Sequence, residues 1–328
     1  MKPFNSKNLA GIETSSSVVP LRPNSEWSAI KPLTYEDIVN SAPKPMEYVL
    51  YPWLPKQGIA FIYAATGVGK TLFTLNVAYA IASGGTFLKY RAQKPRKVLY
   101  IDGEMSYIQV YSRFMQIVGQ QGELDYKENF QLLTPEKSPL KLPRICSPQG
   151  QEFYNQLIKE RDIEVLVLDN LSMLSAIDES NSEQWKVIQD WLIELRARGI
   201  TVIIVHHAGK DKKGYRGTSR MLDCADTAIS LQDVSSDQLE NEITNTKKFK
   251  IEYHKARAFG GKDSFPFEVS LTKFGWEYQS MEQNNVHRIA EMLNMGIKQH
   301  EIAKELVLSR PYICKLVKKA RATGLLTD

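Results

Sequence analysis

Four short runs of mainly apolar residues, at 59–63, 98–101, 165–168 and 201–205, the last opening on Thr201, punctuate the first two thirds of the chain. None alternates apolar with polar, so each has the pattern of a strand covered on both faces. After the first run, residues 71–83 are apolar on almost every side and long enough for three turns of buried helix. Strands joined by crossover helices predict an α/β domain with a mainly parallel sheet. Residues 249–254 and 265–271, with Gly260 and Gly261 between them, have the pattern of a β-hairpin that closes this domain. From about residue 283 the pattern changes to three short helices, at 286–294, 298–306 and 310–323, broken at Gly296 and at Val307-Leu308-Ser309. The first 45 residues are rich in Ser, Pro and Asn without sustained periodicity, and predict an extended arm. The expected organisation is therefore an arm at 1–45, an α/β domain at 46–282 and a small all-α domain at 283–328.

Composition changes this picture little. A hydrophobic fraction of 43% and a charged fraction of 24% are those of an ordinary globular protein. No segment approaches the roughly 20 apolar residues of a membrane helix, and the first residues carry no apolar leader, so a cytoplasmic protein is expected. Cys146, Cys224 and Cys314 lie far apart, without the spacing of a disulfide framework or a zinc site. Charge is more informative. The formal net charge is +5, and residues 284–328 hold eight Lys/Arg against four Asp/Glu, so +4 of it is C-terminal. That asymmetry suits a polyanionic partner for the tail.

The chemistry-bearing segment follows the first strand. Ala64-Ala65-Thr66-Gly67-Val68-Gly69-Lys70-Thr71 is a phosphate-binding loop, with Ala64 where Gly is usual, in its strand–loop–helix setting. Gly67 and Gly69 let the backbone curl so that N–H groups, with the positive end of the following helix, face phosphate oxygens. Lys70 brings charge to the β- and γ-phosphates, and the Thr71 hydroxyl suits Mg²⁺. ATP and Mg²⁺ are the expected ligands, cradled by residues 65–71. Val165-Leu166-Val167-Leu168-Asp169 is an apolar strand ending in a carboxylate fit for the magnesium side. The strand at 98–101 runs into Asp102-Gly103-Glu104, where Glu104 is placed to take a proton from attacking water and Asp102 either supports it or ends the strand. The strand at 201–205 ends in His206-His207, and His206 is the expected sensor of the γ-phosphate.

Together these segments, with Val205-His206-His207-Ala208-Gly209-Lys210 and Arg216-Gly217-Thr218-Ser219, resemble the RecA-superfamily hexameric helicases. The likeness is strongest to plasmid RepA-like replicative helicase ATPases and spans about residues 51–278. It implies a RecA-like P-loop NTPase core with ATP bound between subunits of a homo-oligomeric ring, most simply a hexamer, and Glu104 as catalytic base. It also implies an arginine reaching the γ-phosphate from a neighbouring subunit. Arg216 looks like a RepA-type finger, while Lys255-Ala256-Arg257 is similar to the Lys-x-Arg pair of DnaB-like helicases, and both remain candidates. Lys210, Lys212 and Lys213 would face the ring channel and grip single-stranded DNA.

The tail, 299–317, resembles a helix-turn-helix, with Ile302, Leu306, Leu308, Ile313 and Leu316 spaced for a small core and Val307 where the turn usually carries Gly. Its last helix carries Arg310, Lys315, Lys318, Lys319 and Arg321 and no acid, and with Tyr312 it forms the expected duplex-DNA surface. A ring helicase or translocase is the first expectation. An ATP-switched DNA-binding regulator without unwinding activity is the second, and a filament-forming recombination mediator the third.

Overall fold

The computed structural model describes residues 31–175, 177, 182–207, 219–234, 247–272, 275–306 and 308–326. Arg216 and the lysines at 210, 212 and 213 lie outside these residues. The chain divides into two units, Met1–Pro45 and Met46–Asp328. In the first, α1 (Tyr35–Asn40) is a single capped turn and a half with no buried residue, its capping box closed between Thr34 and Asp37.

The second unit opens with β1 (Tyr48–Leu50), β2 (Leu54–Pro55) and β3 (Ile59–Ala64), then α2 (Lys70–Ser83), β4 (Thr86–Phe87), β5 (Tyr90–Arg91), β6 (Val98–Asp102), α3 (Tyr107–Gln121) and β7 (Phe130–Leu133). It continues through α4 (Pro148–Glu160), β8 (Val165–Asp169), α5 (Leu171–Ser175), α6 (Ser182–Ala197), β9 (Thr201–His207), β10 (Thr227–Asp233), β11 (Lys247–Ala256), β12 (Phe267–Thr272) and β13 (Gly275–Ser280). Three helices end it: α7 (Met281–Asn294), α8 (Gln299–Glu305) and α9 (Arg310–Ala322).

Nine strands form one sheet in the order β13-β12-β11-β10-β3-β9-β8-β6-β7. From β10 to β7 every pairing is parallel, and β11 to β13 add an antiparallel meander. The mainly parallel α/β core expected from the apolar runs is thus the observed one, and the predicted hairpin is β11–β12. Three strands extend beyond the prediction: β7 on one edge, β13 on the other, and β10 beside β3. Each has polar residues within it, as in Thr227-Ala-Ile-Ser-Leu-Gln-Asp233, so none makes a continuous apolar run.

The strands alternate their side chains between two cores. Ala60, Ile62, Val98, Tyr100, Val165, Val167 and Ile203 pack on the face that carries α2, where eleven of fourteen helix residues are buried. Phe61, Leu99, Leu166, Leu168, Val202 and Ile204 pack on the opposite face, against Tyr154 and Ile158 of α4 and Trp185, Ile188, Trp191, Leu192 and Leu195 of α6. A helix apolar all round survives only when covered, and α2 is covered by the sheet, by α3 and by the β11–β13 meander. It stops at Gly84, whose φ of 70° places it in the left-handed region. A Cβ there would come within 2.6 Å of Pro95 Cδ.

The C-terminal helices pack around their own core of Val286, Ile289, Ile302, Ile313, Leu316 and Val317. β13 runs directly into α7 at Met281, so residue 283 lies in the first turn of a helix that begins earlier than the sequence pattern suggested. Among the described residues no helix is long and apolar enough to cross a membrane.

Candidate active site

The C-terminal ends of β3, β9, β8 and β6 lie side by side, and the site is built across them. β3 ends at Ala64, and residues 65–69 wrap over the start of α2. Gly67 (φ 83°) and Gly69 (φ 96°) are both left-handed, which is what the curl requires of them. Nothing lies within 4 Å of a Cβ built on Gly67, so conformation rather than crowding selects glycine there. Val68 is buried and anchors the loop, while Thr66 and Gly67 stand exposed over the cleft. The N–H groups of the first turn of α2, at Lys70 and Thr71, have no intrahelical acceptors by geometry and face outward from the helix start.

Lys70 is buried, and its Nζ donates to the carbonyls of Ala64 and Ala65, each at 3.0 Å. Burial lowers its pKa, with the negative charges of Asp169 and Glu104 opposing the effect. The ammonium also lies 3.4 Å from His207 Nδ1.

Asp169 ends β8 on the α2 face. Its Oδ2 accepts a 2.5 Å hydrogen bond from the Tyr100 hydroxyl, and the Thr71 hydroxyl bonds to the same carboxylate. Burial pushes this carboxyl up from 3.8 to about 6, Asp102 pushes the same way, and the bonds from Tyr100 and Thr71 with the Lys70 charge hold it back. A hydroxyl and a carboxylate are hard oxygen donors suited to Mg²⁺, and a buried ammonium beside outward N–H groups suits a polyphosphate. The residues present therefore fit Mg·ATP.

Glu104 follows β6. Gly103 N–H donates to Asp169 O at 2.7 Å, tying the ends of β6 and β8 together, and a Cβ on Gly103 would meet Leu174 Cδ2 at 2.9 Å. Asp102 accepts from the N–H groups of Glu104 (2.9 Å) and Met105 (2.7 Å), so it shapes the turn that presents Glu104 and does not line the cleft. Burial raises the Asp102 pKa, and those two N–H bonds oppose it. Glu104 Oε2 accepts from Asn170 Nδ2 and lies 4.0 Å from His207 Nε2. The peptide between Asp169 and Asn170 is cis.

The result is a cleft of about 270 Å³ lined by Gly67, Lys70, Thr71, Glu104, Asp169 and His207, together with Asn170, Arg113, Met105 and Phe249. Of the two histidines, the structure brings His207 to the cleft and not His206, the one expected to face the phosphate. His206 shares its strand parity with Val202 and Ile204, so it points into the opposite core and is 1% exposed. His207 shares the parity of Ile203 and stands on the α2 face. Because β9 lies between β3 and β8, His207 reaches Lys70 on one side and Asn170 on the other, at 3.3 Å.

Arg113, Phe249 and Asn170 are among the cleft residues that lie outside the site residues expected from the sequence. Arg113 sits on α3, where its Nη1 donates to Met105 Sδ at 3.0 Å. Phe249 belongs to the apolar face of β11, and its ring lies 3.6 Å from a Cβ built on Gly69. Asn170 directly follows the carboxylate that ends β8, and that adjacency is the one sequence signal that could have found it.

Lys255 and Arg257 do not line this cleft. At the end of β11, Lys255 Nζ donates to the carbonyls of Leu222 and Asp223, and Arg257 Nη2 donates to Asp223 O at 3.0 Å. Burial lowers the Lys255 pKa, and Arg257 adds to the effect. In the C-terminal unit, Arg310, Lys315, Lys318, Lys319 and Arg321 are all exposed on α9, and Tyr312 is half-buried with Lys315 Nζ 6.0 Å from its ring centre.

A glycine-curled loop on a helix N-terminus, facing a strand-end carboxylate and a second acid across a parallel sheet, defines a P-loop ATPase of RecA type. The chain belongs to the AAA_25 family, an AAA domain, which matches residues 24–213. Among solved structures, a KaiC-like protein from the hyperthermophilic archaeon Pyrococcus horikoshii OT3 shares the fold, with a TM-score of 0.52 at 13% identity, over 72% of this chain and 100% of that one. No curated protein sequence matches the chain significantly.

Proposed function

We propose that this ATPase is a DNA motor of the RepA-like type, working as a homo-oligomeric ring, most simply a hexamer, in the replication of a plasmid, phage or similar element. In this reading a single strand passes through the ring channel and the C-terminal helices read duplex DNA as a helix-turn-helix. The observation that carries the reading is the direct run of β13 into α7, which builds a three-helix unit with a strongly basic exposed helix onto the sheet that holds the cleft. A helix with five exposed cations and no acid suits a major groove and its flanking phosphates.

In the hydrolytic step Lys70 exchanges its carbonyl partners for phosphate oxygens. Glu104 accepts the proton of the attacking water. When bound, Mg²⁺ held through Thr71 and Asp169 neutralises charge on the β- and γ-phosphates. The remaining positive charge comes from a neighbouring subunit, through Arg216 or Arg257. The placement of Lys255 and Arg257 away from their own cleft supports a role in trans, and such a finger is worth roughly 10³–10⁵ in rate.

The test is strand displacement on forked DNA with matched 5′ and 3′ tails, alongside ATPase activity with and without single-stranded DNA. Mg·ATP-dependent displacement from one tail polarity, with stimulated turnover, is expected. Nucleotide-dependent duplex binding without displacement or stimulation would replace this reading with that of an ATP-switched regulator.

A further inference from the structure

Asn170 has a side chain that is fixed from behind and offers its donors to the cleft in front. Its Oδ1 accepts from Met173 N–H at 3.0 Å and from the Ser172 hydroxyl at 2.8 Å. A backbone N–H can only donate, so the oxygen of the amide must face α5 and Nδ2 must face the cleft. There Nδ2 meets Glu104 Oε2 and lies 3.3 Å from His207 Nε2. Asn170 itself is 1% exposed, whereas the Glu104 side chain is 51% exposed. A half-solvated glutamate has three rotatable bonds and does not keep one pose by packing. The rigid donor beside it is what gives that carboxylate a fixed place.

We propose that Asn170 is a positioning residue for hydrolysis: by donating to Oε2 it fixes the Glu104 carboxylate and leaves Oε1 as the oxygen that receives the proton from water. The proposal rests on the reading of Glu104 as the base. The same amide sits between Glu104 and His207, whose Nδ1 faces Lys70, so the position of the base is linked through two side chains to the residue that holds the phosphate. Lys70 can only donate, and so can Asn170 Nδ2. A neutral imidazole has one acceptor nitrogen, so His207 satisfies Lys70 or Asn170 and not both at once. When phosphate draws Lys70 away, the ring proton leaves Nε2 and Nδ1 is protonated from solvent, so that Nε2 becomes the acceptor for Asn170 Nδ2 and steadies the amide that holds Glu104.

Asn170→Asp is the discriminating substitution. A carboxylate oxygen still accepts from Ser172 and Met173, so the start of α5 keeps its support, but the donor toward Glu104 is replaced by an acceptor. Single-turnover hydrolysis by the full chain is expected to fall at least tenfold, with affinity for Mg·ADP and for Mg·ATP retained within about threefold; the new buried carboxylate lowers the thermal midpoint, so both chains are assayed well below it. Asn170→Ala should lose rate similarly. In a Glu104→Gln background, Asn170→Ala should cause no further loss, because a residue that acts through Glu104 has nothing left to act on. An equal fold-loss in both backgrounds, or a rate loss matched by lost nucleotide affinity, would overturn the proposal. Wild-type rates in Asn170→Asp would overturn it too. If Glu104→Gln alone hydrolyses ATP at the parental rate, the base reading itself falls, and that result is visible before any Asn170 variant is measured.

Discussion

Replacing Asp169 with Asn should stabilise the nucleotide-free fold while abolishing turnover, because its carboxylate is held in the cleft at a cost to folding. The carboxyl is 3% exposed, and its proton affinity rises on folding from 3.8 to about 6, chiefly through burial. At ~1.4 kcal/mol for each factor of ten in affinity, that displacement corresponds to roughly 3 kcal/mol against the ionised form. The sign follows from which state holds the proton more tightly. The folded state does, so the parent is most stable below 3.8, loses stability as pH rises toward 6, and stays on its lower plateau above that. Asn carries no charge, and its amide oxygen still accepts from Tyr100, so the variant avoids this loss. The difference in unfolding free energy should therefore approach ~3 kcal/mol at pH 8 and shrink to under about 1 kcal/mol at pH 4. Urea titrations at both pH values measure it directly, and a shift of about 5 °C in Tm is expected at the higher pH. A variant less stable than the parent at pH 8, or a difference that is the same at both pH values, would refute the reasoning.

Other outcomes follow from the same geometry. Lys70→Ala should lower kcat by several orders of magnitude, since it removes the only P-loop side-chain cation; single-turnover hydrolysis checks this. The two histidines should separate in their effects. His207→Ala is expected to cost at least about tenfold in hydrolysis with little change in Tm, whereas His206→Ala, which empties a buried site in the opposite core, should cost ~1–3 kcal/mol in urea unfolding and leave hydrolysis close to normal. Substituting Lys315, Lys318 and Lys319 by Ala should flatten the dependence of duplex affinity on salt, by up to ~0.9 in log–log slope for each phosphate no longer neutralised. An unchanged slope would remove α9 from the DNA interface.

The order of elements and the phosphate cradle were legible in the sequence because they depend on neighbours along the chain. Consecutive apolar residues announce strands covered on both sides, and Gly67, Gly69, Lys70 and Thr71 carry their meaning within one turn of backbone. The acids at the ends of β6 and β8 were legible for the same reason, since a parallel sheet brings strand ends to one crevice. What the sequence left open was parity. β9 is apolar on both faces, so nothing in Thr-Val-Ile-Ile-Val-His-His says which histidine points toward α2. Only the pairing of β9 with β3 and β8 decides that it is His207. Arg113 and Phe249 entered the site by the same route. Each comes from a separate element, and its place in the cleft is set by long-range packing, which no local pattern encodes.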